Sequence, residues 1–262
     1  MSNKEPFRYK IHTNSYELGN RASKLHKNLN LRLIKHVSKM VDQPSNQFLE
    51  GRKLLEIGTG VGRLYIALRE FECKYQGIEP STEMFEYCKQ NFSNDSNFDI
   101  QNIRLEEIPN EYRAKFDIVF MVHVLEHAND SYMALAWLER LKEFVAQGGY
   151  LIVKGPHFPS YGSKFWDIDY SHNYVTTRNN TCELLQEAGW KIVASRLVVG
   201  LPGGGQLITR GLAVVLLKLV PEDFLNWALS KFFRRQNVFS NLLTAYFRTD
   251  YLILARKISD TI

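Results

Sequence analysis

The sequence predicts an α/β domain carrying a doubly wound, mostly parallel sheet. Two features of the chain point there. From Lys53 onward, short apolar runs alternate with segments of helical period. The first run also opens directly into "GTGVGRL", which places Gly58, Gly60 and Gly62 between a strand and a helix.

Ahead of the sheet, Leu25, Leu29, Leu33, Val37 and Val41 recur at a spacing of four, so 24–41 reads as an amphipathic helix. "KLLEIG" reads as the first strand, "GRLYIALREF" as a helix and "KYQGIE" as the second strand. Ser81 or Thr82 can cap a helix over "STEMFEYCKQNF". "FDIQNI" and the fully apolar "FDIVFMV" follow as strands. "DSYMALAWLERLKEFVAQGG" is expected to stay helical up to its glycines. "YLIVKG" is a buried strand that leads into a long loop reaching about Val175. A helix over "NNTCELLQEAGW", closed by Gly189, feeds the strand "KIVASRLVV". "GLPGGGQ" (200–206) then marks a flexible joint, a mainly helical stretch follows, and "DYLILARK" is the seventh strand.

Composition narrows the setting. Apolar residues make up 45% and charged residues 23% of the 262, a globular balance. The net charge of +5 is mild, and without a dense Lys/Arg run it does not itself call for nucleic acid or lipid. Cys73, Cys88 and Cys182 are far apart, so neither a disulfide framework nor a zinc cluster is expected, and reduced thiols fit a cytoplasmic protein. The start "MSNKEPFRYK" lacks the apolar core of a signal peptide. No run reaches the roughly 18 apolar residues of a spanning helix.

The glycine turn asks which ligand it serves. A triphosphate loop would end in Gly-Lys-Ser/Thr, and here Gly62 precedes Arg63 and Leu64. A dinucleotide fingerprint would need its third glycine at position 63, occupied by Arg63. Glu79 closes the second strand about 20 residues further on, where a carboxylate can accept both ribose hydroxyls. Glycine turn and acid together indicate a nucleoside cofactor.

In order and spacing, "LLEIGTGVGRL", "GIEPS", "LEEIP", "FDIVFMVHVLEH" and "GGYLIVKGP" resemble the class I S-adenosylmethionine-dependent methyltransferases, nearest the branch acting on small molecules, quinones and sugars. The resemblance covers roughly 50–200. It implies a Rossmann-like seven-stranded sheet with the last strand antiparallel, and S-adenosylmethionine as cofactor. It further implies that Gly58 and Gly60 let the turn approach the methionine portion, that Gly62 lets the helix pack closely, and that Glu56 lies beneath. Thr59 and Pro80 join this cofactor-binding set. Glu79 would hold the ribose, Leu105 and Glu106 would flank the adenine, and Val122 and His123 would sit near the methionine. The family often has Asp where this chain has Arg104, so Glu106 or a backbone carbonyl would take the adenine amino group. Glu126 and His127 have the look of catalytic residues, but bracing the pocket from behind is the preferred reading for both.

A hydroxyl acceptor benefits from a general base at the carboxyl ends of strands four and five. The loop "GPHFPSYGSKFWDIDYSHNYVTT" is rich in aromatic, acidic and histidine side chains. His157 is the first candidate base and His172 the second, the latter weighed against bracing the loop. No metal centre is expected, since none of these residues shows ligand spacing on a helix. The Asn/Asp-Pro-Pro-aromatic signature of base-amino methylation is absent, so a small-molecule or saccharide acceptor is preferred to nucleic acid. The expected reaction is methyl transfer to oxygen of a sugar or other small metabolite, in a setting such as surface polysaccharide or lipid-linked glycan synthesis. RNA methylation and a non-catalytic binding role are the alternatives.

Four regions result: an N-terminal helical cap (1–48), the cofactor-binding domain (49–200), a helical insertion (201–248) and the strand completing the sheet (249–262). Within 203–247, Arg210, Lys218, Lys231, Arg234 and Arg235 accompany apolar clusters and two acids, Glu222 and Asp223. Packing on the sheet or acting as a lid, a homodimer interface, and peripheral contact with the inner face of a membrane all fit that pattern.

Overall fold

The computed structural model describes residues 20–199 and 249–258. The insertion and residues 1–19 of the cap lie outside them. The seven strands are β1 (Lys53–Ile57), β2 (Lys74–Ile78), β3 (Phe98–Gln101), β4 (Phe116–Val122), β5 (Val145–Pro156), β6 (Lys191–Val199) and β7 (Thr249–Arg256). They form one sheet in the order β3-β2-β1-β4-β5-β7-β6. The first five pair in parallel, and β7 runs antiparallel between β5 and β6. Strand order reverses between β1 and β4, so a crevice opens at their carboxyl ends, where such sheets bind ligands.

Parallel strands covered on both faces need apolar side chains on both faces. Adjacent residues of β1 show this: Leu54 and Leu55 are both fully buried, in separate cores. Leu54 packs with Leu33, Ile34 and Val37 of α1 (Asn20–Met40) and with Phe48 of α2 (Ser45–Leu49). Leu55 shares its core with Leu138, Leu141 and Phe144 of α5 (Ser131–Phe144) and Leu185 of α8 (Arg178–Glu187). Each such side chain contributes about 1.5–3 kcal/mol by leaving water. The expected stripe of the first helix is therefore real at Leu33 and Val37, while Leu29 and Val41 are half-buried.

Two helices differ from expectation. After β1 the chain makes turns, and only α3 (Tyr65–Leu68) is helical. Gly58, Gly60 and Gly62 all have positive φ, at 70°, 57° and 74°, and a chain alternating through that region cannot propagate a right-handed helix. Helix α5 stops at Phe144 rather than at its glycines, because Val145 becomes extended and pairs with Phe116 of β4. Tertiary pairing there overrides local helix propensity. The start of α4 (Thr82–Phe92) is capped by Ser81, whose hydroxyl accepts the Met84 N–H. The loop after β5 contains two short helices, α6 (Phe158–Tyr161) and α7 (Lys164–Ile168). Among the described residues no helix is long and apolar enough to cross a membrane.

Candidate active site

The turn after β1 is anchored on all sides by its own backbone. Gly58 and Thr59 N–H groups donate to the Ile78 carbonyl at the end of β2, at 3.0 and 3.1 Å. Gly60 N–H donates to Oε2 of Glu79 at 2.7 Å, and the Gly60 carbonyl accepts from the Cys88 thiol at 3.3 Å. The glycines have different reasons to lack a side chain. A Cβ on Gly58 would lie 2.7 Å from Val124 Cγ2, and one on Gly62 2.5 Å from the Phe92 ring. A Cβ on Gly60 would meet nothing within 4 Å. Gly60 thus faces open space at the crevice, while its neighbours are packed.

Glu79 is buried, and its Oε1 accepts the Ser81 N–H at 2.9 Å while Oε2 serves Gly60. Carboxylate oxygens can accept further donors, so this group can hold the turn and still meet hydroxyls. Asn102 reaches the Glu79 carbonyl at 2.8 Å, tying the end of β3 to the same corner. Pro80 follows at the surface. Glu56 lies buried beneath the turn and accepts a very short hydrogen bond from Tyr75, whose hydroxyl also lies 3.2 Å from Thr59 Oγ1. Burial pushes the Glu56 carboxyl up to about 8, opposed by the Tyr75 hydrogen bond and aided by nearby Glu79. Two carboxyls beneath and beside an open glycine turn fit a cationic, hydroxyl-bearing ligand. Leu105 is buried in the turn after β3, and Glu106 accepts the Trp137 indole N–H at 2.6 Å.

At the carboxyl end of β4, Val122 is half-buried and His123 has φ of 56°, a left-handed conformation unusual outside glycine. That twist directs the imidazole into a polar group assembled from several elements. His123 Nδ1 lies 3.2 Å from Glu126 Oε1, and Nε2 lies 2.6 Å from Lys154 Nζ and 3.3 Å from Asp250 Oδ2. Lys154 of β5 makes a short ion pair with Asp250 of β7, and Tyr161 of α6 donates to Asp250 Oδ1 at 2.7 Å. Burial raises the Asp250 carboxyl, but Lys154 and His123 outweigh it and hold the group well below the usual carboxylate range. The His123 side chain keeps 42% of its surface open to solvent, yet the crowd of groups around the ring and Lys154 press its basicity down, and Asp250 and Glu126 more than offset them. Lys154 and Asp250 join the site although neither is among the residues expected from the sequence. Their signal was a charge inside an otherwise apolar strand, "LIVKGP" and "TDYLILA".

His157 lies just past β5, half-buried, and its Nδ1 accepts the Arg178 N–H at the start of α8 over 3.2 Å. That leaves Nε2 carrying the proton of the neutral ring. Burial and Arg178 also lower its basicity. His172 is buried, with Nδ1 2.7 Å from the Phe165 carbonyl. Glu126 is fully buried, and its carbonyl accepts the Asn173 and Tyr174 N–H groups, tying the exit of β4 to the loop after β5. The structure thus gathers Glu56, Gly58, Thr59, Gly60 and Glu79 at one corner. His123 heads a second group, and His157 and His172 stand in their own backbone contacts.

A doubly wound sheet with a glycine turn at its switch point and an acid ending β2 defines a nucleoside-binding α/β protein. The methyltransferase-domain family matches residues 25–195, well over half of the chain, and the chain belongs to it. A ubiquinone biosynthesis O-methyltransferase of Rhodopseudomonas palustris (strain TIE-1) is 31% identical over 106 residues, 40% of this chain and 40% of that enzyme. Among solved structures, a protein of Haloferax volcanii in complex with the Trm112 methyltransferase activator superposes with a TM-score of 0.62 at 15% identity, covering 92% of this chain and 95% of that one. The N-methyltransferase NodS of Bradyrhizobium japonicum WM9 has a TM-score of 0.57 at 11% identity, over 90% of this chain and 98% of its own. These structural likenesses concern the fold.

Proposed function

We propose that the protein transfers the methyl group of S-adenosylmethionine to a hydroxyl oxygen of a sugar or other small polyhydroxylated metabolite. Bound S-adenosylmethionine supplies a methyl group activated on a sulfonium sulfur. Glu79 would accept from the ribose hydroxyls, Glu56 would balance the cationic end, and Gly60 would let the turn lie against the methionine portion. Leu105 and Glu106 would border the adenine, with Val122, Thr59 and Pro80 completing the rim.

The observation that carries the acceptor assignment is the group His123, Lys154, Asp250 and Tyr161, at the carboxyl ends of β4 and β5 and the amino end of the antiparallel β7. It adjoins the glycine turn, because Val124, the residue after His123, packs on Gly58. Asp250 already accepts a hydroxyl, that of Tyr161. A substrate hydroxyl donating to Asp250 the same way would have its oxygen lone pair turned toward the methyl. Its proton would leave through Asp250 to solvent and the cofactor would depart as the neutral thioether, alignment being the main contribution a protein makes to such a transfer. His157, with its Nε2–H, would donate to a second substrate oxygen, and His172 would hold the loop in place. The ubiquinone O-methyltransferase likeness is in keeping with an oxygen acceptor.

The test is incubation with methyl-labelled cofactor and a panel of sugar nucleotides, glycolipids, quinols and RNA. Label in an alkali-stable ether on a small molecule is the expected result. Transfer to RNA, with the steep salt dependence of phosphate contacts, would replace this reading. Cofactor binding without transfer to any acceptor would favour a non-catalytic role.

A further inference from the structure

We propose that Glu126, His127 and His172 form a binding site for a first-row divalent transition-metal ion. Nothing in linear spacing suggests it: Glu126 and His127 sit in the turn after β4, and His172 arrives from the loop after β5. Folding brings one ligand atom from each to within 4.8 Å of the other two.

The hydrogen bonds around the three residues decide where their lone pairs lie. His172 Nδ1 faces the Phe165 carbonyl at 2.7 Å, and a carbonyl only accepts, so Nδ1 carries the hydrogen and Nε2 the lone pair. Ser171 Oγ donates to Asp169 Oδ1 at 2.6 Å, so it accepts from His127 Nδ1 at 2.9 Å. His127 therefore also keeps its lone pair on Nε2. The Ser171 carbonyl, 3.3 Å from the same Nδ1, agrees. Glu126 is fully buried; its Oε1 is shared with His123, and its Oε2 is buried without a hydrogen-bond partner.

Three acceptors thus converge with no donor among them, and a buried carboxylate oxygen left so is costly. A cation resolves this directly. Metal-bound imidazoles characteristically give their second nitrogen to a carbonyl or a carboxylate-linked group, as both of these do. Two imidazoles and one carboxylate suit zinc, iron(II), manganese(II) or cobalt(II), whereas calcium prefers an all-oxygen shell. Three protein donors leave at least one position for an oxygen ligand. The ion would clamp the loop after β5 to the exit of β4, beside His123.

The test uses the full chain, stripped with chelator, and needs no methyl transfer. Titration with Co²⁺ followed by visible absorption, and with Zn²⁺ by calorimetry, should show one equivalent bound and a raised Tm. H172Q and E126Q should abolish binding, and S171A should weaken it by about 10–100-fold through loss of orientation. Circular dichroism separates loss of the site from loss of the fold; if E126Q misfolds, H127Q and H172Q suffice. Imidazole ¹⁵N shifts in the stripped protein should report both rings protonated at Nδ1. The proposal is overturned if the folded wild type binds no ion, leaving a shared proton or a buried water between the three groups. It is equally overturned if H127Q and H172Q bind metal as the wild type does.

Discussion

The Gly60 amide donates to Oε2 of Glu79 over 2.7 Å, so the turn after β1 and the acid ending β2 form one unit before any ligand arrives. Replacing the acid should disturb both. E79A removes the proposed ribose partner and the anchor of the turn, and S-adenosylmethionine affinity should fall by about 1–3 kcal/mol. E79Q keeps the shape and should fall less. Calorimetry showing unchanged affinity in E79A would remove Glu79 from the cofactor site.

Gly60 and Gly62 make a paired test of ligand space against packing. G60A has room for its methyl and meets only the left-handed backbone, so stability should drop by about 1–2 kcal/mol while cofactor binding suffers more. G62A adds a clash 2.5 Å from Phe92 to the same backbone cost and should lose stability first. Denaturation midpoints and binding isotherms on both variants decide the matter. Equal losses in both measurements would deny that Gly60 faces the ligand.

Glu56 gives the fold a pH dependence. Its folded value of about 8 lies above the ordinary glutamate value of 4.5, so between these limits the folded state holds more protons than the unfolded one. Stability from this group is therefore full below about pH 4.5, declines as pH rises toward 8, and then levels off. The slope is at most about 1.4 kcal/mol per pH unit. E56Q, an uncharged mimic of the protonated acid, should flatten this decline. It should also bind a cationic cofactor less tightly, because the ligand can no longer draw out a negative charge beneath it. Urea unfolding of both proteins from pH 5 to 8 provides the measurement, and parallel curves would contradict the assignment.

Lys154 and Asp250 couple β5 to β7. Truncating either leaves the other largely buried and charged, so K154M and D250L should each cost about 2–4 kcal/mol. The double variant should cost clearly less than the sum. Additivity in the thermodynamic cycle would mean that the pair is not coupled in solution. Y161F, which removes a single hydroxyl from Asp250, should fold normally and raise the acceptor KM several-fold more than the cofactor KM.

The sheet was legible because alternating apolar runs leave few other ways to bury both faces, and the residues of β1 bear this out side by side. The antiparallel β7 came from family resemblance and not from its own residues, since a buried run reads alike in either direction. Helix ends were less legible. Val145 carries ordinary helix-neighbour character in the sequence, and only pairing with Phe116 draws it into β5.

Local order in the chain determined the strand–glycine-turn–helix, the acid ending the second strand, and through them the family. These features lie within a few residues of one another, where backbone geometry is dictated locally. Tertiary structure alone decided that Lys154 and Asp250 meet at His123, and that His172 faces Glu126 and His127. Such contacts join strands and loops far apart along the chain, and their closeness follows from the strand order of the sheet, which no short stretch encodes.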